Sequence, residues 1–260
     1  MTESTAILKR LADGAMFLTI NRAEARNALN DAVITGLTEA LLETQRDSSV
    51  RVIVVTGSGD RAFCAGGDLK PNSKTFGFDP AEPRTVYAEL LRTAKACTLP
   101  MIARVNGHCM AGGLGILAMC DMAVASSKAT FGLPEVKIGL FPMQVAALLQ
   151  NVIPRRTFDE MCITGEPISA QQARECGLVN YVVEPAELDA KTQWLIARTV
   201  DKSPTAIRRG KYALRAISDM TFEQSMAYME NQIVSLALTE DAAEGLNAFN
   251  AKRPPAWTGR

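Results

Sequence analysis

The run Arg51-Val52-Ile53-Val54-Val55-Thr56 constrains the fold most. It is β-branched at almost every position and shows no polar–apolar alternation. Such a segment reads as a strand buried on both faces, so it needs covering layers on two sides. Ala15 to Ile20, Pro100 to Val105 and Asp121 to Ala125 are further strand candidates. Helical segments fall between them. One is capped by Asn30 or Asp31 and runs through Leu37, Leu41 and Leu42, spaced for one helical face. Another opens on glycines, Ala111-Gly112-Gly113-Leu114-Gly115 and on to Met119. Strands alternating with helices predict an α/β fold with a largely parallel sheet.

From about residue 143 the pattern changes. Apart from a strand candidate at Leu178 to Val183, the remainder reads as helix, and Thr221 with Gln224 has the form of a capping box. The segment from Pro71 to Pro83 carries three prolines and a glycine and reads as a loop of the kind that borders sites.

Charge and residue scarcities exclude several functions. The 260-residue chain has 28 basic and 28 acidic side chains, a formal net charge of zero. A general nucleic-acid binder usually carries a basic excess. An anionic small molecule held by a local patch stays open. One histidine, His108, rules out a His-rich metal site. The six cysteines contain no C-x-x-C pair, which argues against a zinc ribbon and suits buried thiols in a reducing compartment. The N-terminus has no signal-peptide pattern, and no apolar run approaches the ~20 residues of a membrane span. A cytoplasmic protein with no metal, nucleic-acid or membrane partner is the expectation.

Five features bear on chemistry. Gly57-Ser58-Gly59-Asp60-Arg61-Ala62 matches a relaxed dinucleotide pattern, but no helix start follows it. A strand-to-turn reading suits it better. Gly66-Gly67 and Gly112-Gly113 each follow a strand candidate closely. Glycine leaves its N–H uncovered to a ligand, and at a helix start free N–H groups favour negative charge. Two such groups aimed at one oxygen make an oxyanion hole; tight turns or close packing are the alternative. Glu135 follows Pro134 at a helix start. Phe131, Leu133, Val136 and Ile138 flank it, so partial burial and a raised pKa are expected. His108 has no partner acid or nucleophile placed by the sequence and reads as packed or hydrogen-bonded. Lys252-Arg253 in isolation reads as a solvated pair.

Taken in order, these segments resemble the enoyl-CoA hydratase/isomerase (crotonase) family. The parts are Asn21 to Asn30 (NRAEARNALN), Ala62 to Leu69 (AFCAGGDL), Asn106 to Gly113 (NGHCMAGG) with Ala118 to Asp121, Phe131 to Leu140 (FGLPEVKIGL), Thr164 to Ala170 (TGEPISA) and Phe249 to Trp257 (FNAKRPPAW). The resemblance implies a spiral of ββα turns over residues 1–200 with the acyl-CoA site, and a helical oligomerisation region over 201–260. It implies acyl-CoA thioesters as partners, coenzyme A as part of the substrate with no separate cofactor, and a homotrimer or dimer of trimers. Carried over by motif, Gly67 and Gly112 N–H would hold a thioester enolate, and Glu135 would be the acid/base. Ala25, Arg26, Ala65 and Asp68 would line the adenine, ribose and phosphates. Gln144 would border the acyl pocket. Phe249 and Lys252 would reach coenzyme A from the C-terminal end.

One position departs from the family pattern. Two-glutamate hydratases carry a second Glu where this chain has Gly115. Three outcomes stay open: a hydratase with Glu135 as its single acid, a delta-isomerase shuttling a proton through Glu135, or a non-catalytic coenzyme A binder. Hydration of a 2-enoyl-CoA leads. Gln144 is a candidate for positioning the water, with ordinary packing as its alternative.

Overall fold

The structure, a computed structural model, describes residues 5–69, 81 and 84–260. Except for Ala81, the Pro71 to Pro83 loop lies outside the described residues. The chain opens with β1 (Ile7–Ala12), β2 (Ala15–Ile20), α1 (Asp31–Thr44), β3 (Val52–Gly57) and β4 (Ala62–Cys64). It continues through α2 (Val86–Ala96), β5 (Met101–Val105), β6 (His108–Met110), α3 (Gly112–Ala118), β7 (Met122–Ser126) and β8 (Thr130–Gly132). Then come α4 (Met143–Leu149), α5 (Arg155–Thr164), β9 (Ile168–Ser169), α6 (Ala170–Glu175) and β10 (Tyr181–Val183). Helices α7 (Leu188–Val200), α8 (Pro204–Ala216), α9 (Phe222–Ala237) and α10 (Glu240–Asn250) close it.

The strands form two sheets. The larger runs β1-β2-β3-β5-β7-β10, parallel from β2 onward with β1 antiparallel at its edge. Its centre behaves as the Arg51–Thr56 run predicts. Val52 and Val54 point to one face, where Leu188, Leu195 and Ile196 of α7 cover them. Ile53 and Val55 point to the other, into a core with Leu37 and Leu41 of α1, Leu90 and Leu91 of α2, and Phe63 and Phe131. Period-2 geometry with an apolar layer on each side explains why the run needs no polar alternation. The α/β fold with a largely parallel sheet is therefore observed.

The smaller sheet, β4-β6-β8-β9, is parallel across its first three strands, and β9 is antiparallel to β8. The turn that carries the chain from β3 to β4 is held by two asparagines. Asn27 Nδ2 donates to Ser58 O at 3.0 Å and to Ala62 O at 2.7 Å. Asn106 Nδ2 donates to Gly59 O at 2.8 Å and to Ala62 O at 3.2 Å, while its Oδ1 accepts from Gly57 N. Gly57 to Asp60 is thus a strand end and turn, with no helix opening from it.

Local signals fare well with two corrections. Asn30 caps α1 by accepting from Val33 N at 3.0 Å. Leu37 and Leu41 are buried but Leu42 is exposed, because the fifth position after Leu37 has rotated off the buried face. Beyond residue 143, β9 adds a short strand, and the strand read at 178–183 narrows to β10. The capping box of α9 is present in both directions, Thr221 N to Gln224 Oε1 at 2.9 Å and Gln224 N to Thr221 Oγ1 at 3.4 Å. Among the described residues no helix is long and apolar enough to cross a membrane.

Candidate active site

Strands β4, β6 and β8 end side by side, and their carboxyl ends carry the three sequence candidates. Cys64 pairs with Cys109, and Met110 pairs with Gly132. The chain leaves β4 into Gly66-Gly67, leaves β6 into Ala111-Gly112, and leaves β8 into Leu133-Pro134-Glu135. Carboxyl ends of parallel strands are where ligands bind in open α/β sheets.

The backbone explains how the two glycine N–H groups become available. Leu29 bridges the β4 exit, its N–H donating to Gly66 O and its C=O accepting from Asp68 N, both at 2.8 Å. In this parallel bridge Gly67 sits opposite Leu29 and takes no part, so its N–H points to the other side. Gly112 is the first residue of α3, where the helix offers its N–H no partner. Ala111 makes this turn with φ +51°, an uncommon backbone for a non-glycine residue, anchored by Ala111 N donating to Gly132 O at 2.8 Å. Gly66 faces it with φ +93°, and a side chain there would come within 2.6 Å of Ala111 Cβ. Gly113 lets α3 lie on β4, since a Cβ would meet Cys64 O at 2.5 Å.

Glu135 lies in a short 3-10 helix, Pro134–Ile138, with Pro134 in its first turn as expected. Its Oε2 is buried without a hydrogen-bond partner among the described residues. Burial pushes the Glu135 carboxyl above its ordinary pKa, partly opposed by a bond from its own backbone N–H. The expected flanks need correcting. Phe131 and Leu133 are fully buried, but Val136 and Ile138 are 38% and 57% exposed. The cover comes from the β8 side and from α5, whose Cys162 feels the Glu135 charge.

The nucleotide-side candidates split into two groups. Ala25, Arg26, Ala65 and Asp68 are brought together, because Ala65 N donates to Arg26 O at 3.1 Å beside the Leu29 bridge. Arg26 itself is exposed, with φ +53°, where it ends the Ala23–Ala25 turn. Asp68 is buried and pairs with Arg22 Nη2 at 3.0 Å. Arg22 also donates to Ala28 O at 2.7 Å, a cross-link that sequence reading passed over in favour of Arg26. Phe249, 81% exposed, and Lys252 lie at the end of α10. Among the described residues no hydrogen bond or ion pair joins either to the site. Lys252 and Arg253 are both exposed, as the solvated-pair reading has it, and Arg253 adds a two-point surface ion pair with Glu244, at 2.6 and 2.8 Å.

Gln144 reaches the rim of the same site. Its amide donates to Thr85 Oγ1 at 2.6 Å, the oxygen that caps α2 by accepting from Ala88 N. His108 is exposed and its Nδ1 lies 2.7 Å from Thr130 Oγ1 across the β6–β8 pair, the hydrogen-bonded reading. One residue of the site was missed. Tyr87, in the first turn of α2, donates its hydroxyl to Gly112 O at 2.5 Å. No sequence signal marks it, because it lies 25 positions from its partner in an otherwise ordinary amphipathic helix.

Chemically, a carboxyl of raised pKa and two backbone N–H groups left uncovered are parts of the kind that can form and quench an enolate. Comparison with known proteins agrees with this outline. Residues 11–260 match the family model for enoyl-CoA hydratase/isomerase. The chain is 34% identical over 250 residues to (E)-benzylidenesuccinyl-CoA hydratase of Thauera aromatica, covering 94% of this chain and 95% of that protein. It is 35% identical over 248 residues to 2,3-dehydroadipyl-CoA hydratase of Escherichia coli K12, covering 94% and 95%. The crystal structure of an enoyl-CoA hydratase from Mycobacterium smegmatis superposes with a TM-score of 0.89 at 33% identity, covering 98% and 99% of the two chains. Fold, strand-end glycines and sequence converge, and the chain belongs to the enoyl-CoA hydratase/isomerase family, whose members act on acyl-CoA thioesters.

Proposed function

We propose that the protein is an enoyl-CoA hydratase that adds water to a 2-enoyl-CoA with Glu135 as its single acid/base. The observation that carries this reading is the Glu135 carboxyl: half-buried, raised in pKa, with one buried oxygen that has no hydrogen-bond partner among the described residues. A carboxylate whose pKa is raised accepts a proton more readily and can then release it again. The thioester oxygen would face Gly67 and Gly112 N–H, each worth ~3–4 kcal/mol of transition-state stabilisation. Water attacks the β-carbon, Glu135 takes its proton, and the enolate collapses when Glu135 protonates the α-carbon. Ala25, Arg26, Ala65 and Asp68 would line the coenzyme A nucleotide. The hydratase names of two relatives favour hydration. The lone carboxylate favours the second reading, a delta-isomerase that moves one proton between two carbons through Glu135.

The test is incubation with a panel of 2-enoyl- and 3-enoyl-CoA thioesters in ¹⁸O-labelled water, followed by mass spectrometry. Hydration puts the label into a 3-hydroxyacyl-CoA, and Glu135→Gln lowers this turnover by about 10²–10⁴-fold while coenzyme A binding survives. Interconversion of the two alkenes without label replaces hydratase by isomerase. Tight binding without either product leaves a non-catalytic coenzyme A protein.

Exposed apolar residues on α9, at its C-cap and on α10, Phe222, Ile233, Val234, Leu238 and Leu246 among them, fit assembly of several copies into the trimer or dimer of trimers that the resemblance implies. A one-chain mass in light scattering would remove that part of the reading.

A further inference from the structure

Gly115 marks the place where a second carboxylate would project, and the structure fills that place from elsewhere. A Cβ built on Gly115 collides with Tyr87 Oη and comes within 3.4 Å of Val145 Cγ2. The phenol oxygen therefore occupies the volume in which a side chain at 115 would begin. Its proton is committed, because Oη donates to Gly112 O at 2.5 Å. A phenol oxygen that donates once still has lone pairs with which to accept. The nearby carboxyl has the complementary need: Glu135 Oε2 is buried without a hydrogen-bond partner among the described residues.

We propose that Tyr87 is the water-positioning residue of this enzyme, its hydroxyl oxygen taking over at Gly115 the acceptor role of the missing carboxylate. The inference rests on the hydratase reading above. A water held between Tyr87 Oη and Glu135 Oε2 donates one hydrogen to each, which leaves its lone pair facing the substrate. As that lone pair forms the C–O bond at the β-carbon, the O–H bond toward Glu135 breaks and its proton passes to the carboxylate. The alkene electrons move onto the thioester as an enolate. Glu135 then gives the proton to the α-carbon and returns to its starting state. Tyr87 neither gains nor loses a proton. That fits its surroundings: burial first, then Cys64, Cys109 and Glu135, hold its phenol well above the ordinary value, so it stays neutral. A neutral acceptor orients water without adding a second charge beside Glu135.

The same contact ties Tyr87 to Gly112, so a structural role must be told apart from a positioning one. Tyr87→Phe keeps the ring and removes only the oxygen. Two readouts are taken on the intact protein: hydration of the fastest thioester of the panel, and the infrared carbonyl stretch of its bound saturated analogue, which reports the two backbone donors. The expected result is a fall of about 10–100-fold in kcat with little change in KM, and an unchanged carbonyl shift. Loss of the shift together with kcat would show that Tyr87 only braces Gly112, and an unchanged kcat would show that it does nothing; either overturns the assignment. A swap supplies the second arm. Tyr87→Ala with Gly115→Glu should hydrate faster than Tyr87→Ala alone, and no gain overturns the equivalence of the two groups. If the wild-type protein adds no water to any thioester, the hydratase reading falls and this one with it. If wild type hydrates and the variants behave otherwise than expected, only Tyr87 loses its role.

Discussion

The two sheets divide the labour of the molecule. In the larger one β1, β2 and β3 each run six residues in regular register, and its centre is buried on both faces. In the smaller one β4, β6 and β8 have three residues each, and the β4–β6 register shifts between Ala62 and Cys64. The large sheet presents side chains to its neighbours, whereas the small one ends in the backbone glycines that we propose face a ligand. A short ladder leaves N–H groups unspent just where Gly67 and Gly112 lie. The first sheet is packed on both faces and the second carries the proposed chemistry, the two joined through the clasped turn between β3 and β4.

The sharpest way to break this comparison is to strike one sheet and read the other property. Gly112→Pro deletes one N–H at a first helical position, where proline is tolerated, although Leu29 Cδ1 must yield slightly. Hydration should fall by about 10²–10³-fold with the fold retained. Full activity in a folded variant, shown by circular dichroism and steady-state kinetics, would remove Gly112 from the oxyanion hole. Next in size, Val54→Ala removes packing from the α7 face of the large sheet and should cost about 2–3 kcal/mol in urea unfolding. Turnover per folded molecule should stay at the wild-type value, and a large loss would mean that the sheets are not separable in function.

The smallest effect concerns Glu135. Its raised carboxyl pKa means that the folded state favours the protonated form. This contribution to stability is complete below the unfolded value of about 4.3 and is lost as pH rises through the folded value. Glu135→Gln should therefore melt slightly higher than wild type at pH 7, a gain that shrinks toward pH 4. The acid limb of wild-type turnover should lie above the ordinary glutamate range. A variant that melts lower at pH 7, or an acid limb at an ordinary value, would contradict the buried-base description.

Sequence legibility follows the same division. The large sheet could be read because β3, β5 and β7 are runs of apolar residues long enough to show their burial, and α1 and α9 because their caps are local. The strands Ala62–Cys64, His108–Met110 and Thr130–Gly132 are too short to carry any period. Their glycines and Glu135 were found only as motifs, and the fold then explained why they meet. Leu42, Val136 and Ile138 misled because spacing and apolar character do not say which side of a turn faces inward. Tyr87 escaped because its meaning depends on the empty side of Gly115, a relation between two distant helices.

The clasped turn also bears on chemical ageing. Asn27 and Asn106 both aim an amide N–H at the single carbonyl of Ala62. Asparagine is a thermolabile residue, and Asn106 precedes a glycine, whose small size leaves its backbone nitrogen open to attack the side-chain carbonyl. Hydrolysis of either amide to a carboxylate would replace a donor with a negative charge facing carbonyl oxygens. Attraction at the joint would become repulsion. The buried hydrogen bonds that hold these amides still are then a preservative as well as a fastener of the place where the two sheets are joined.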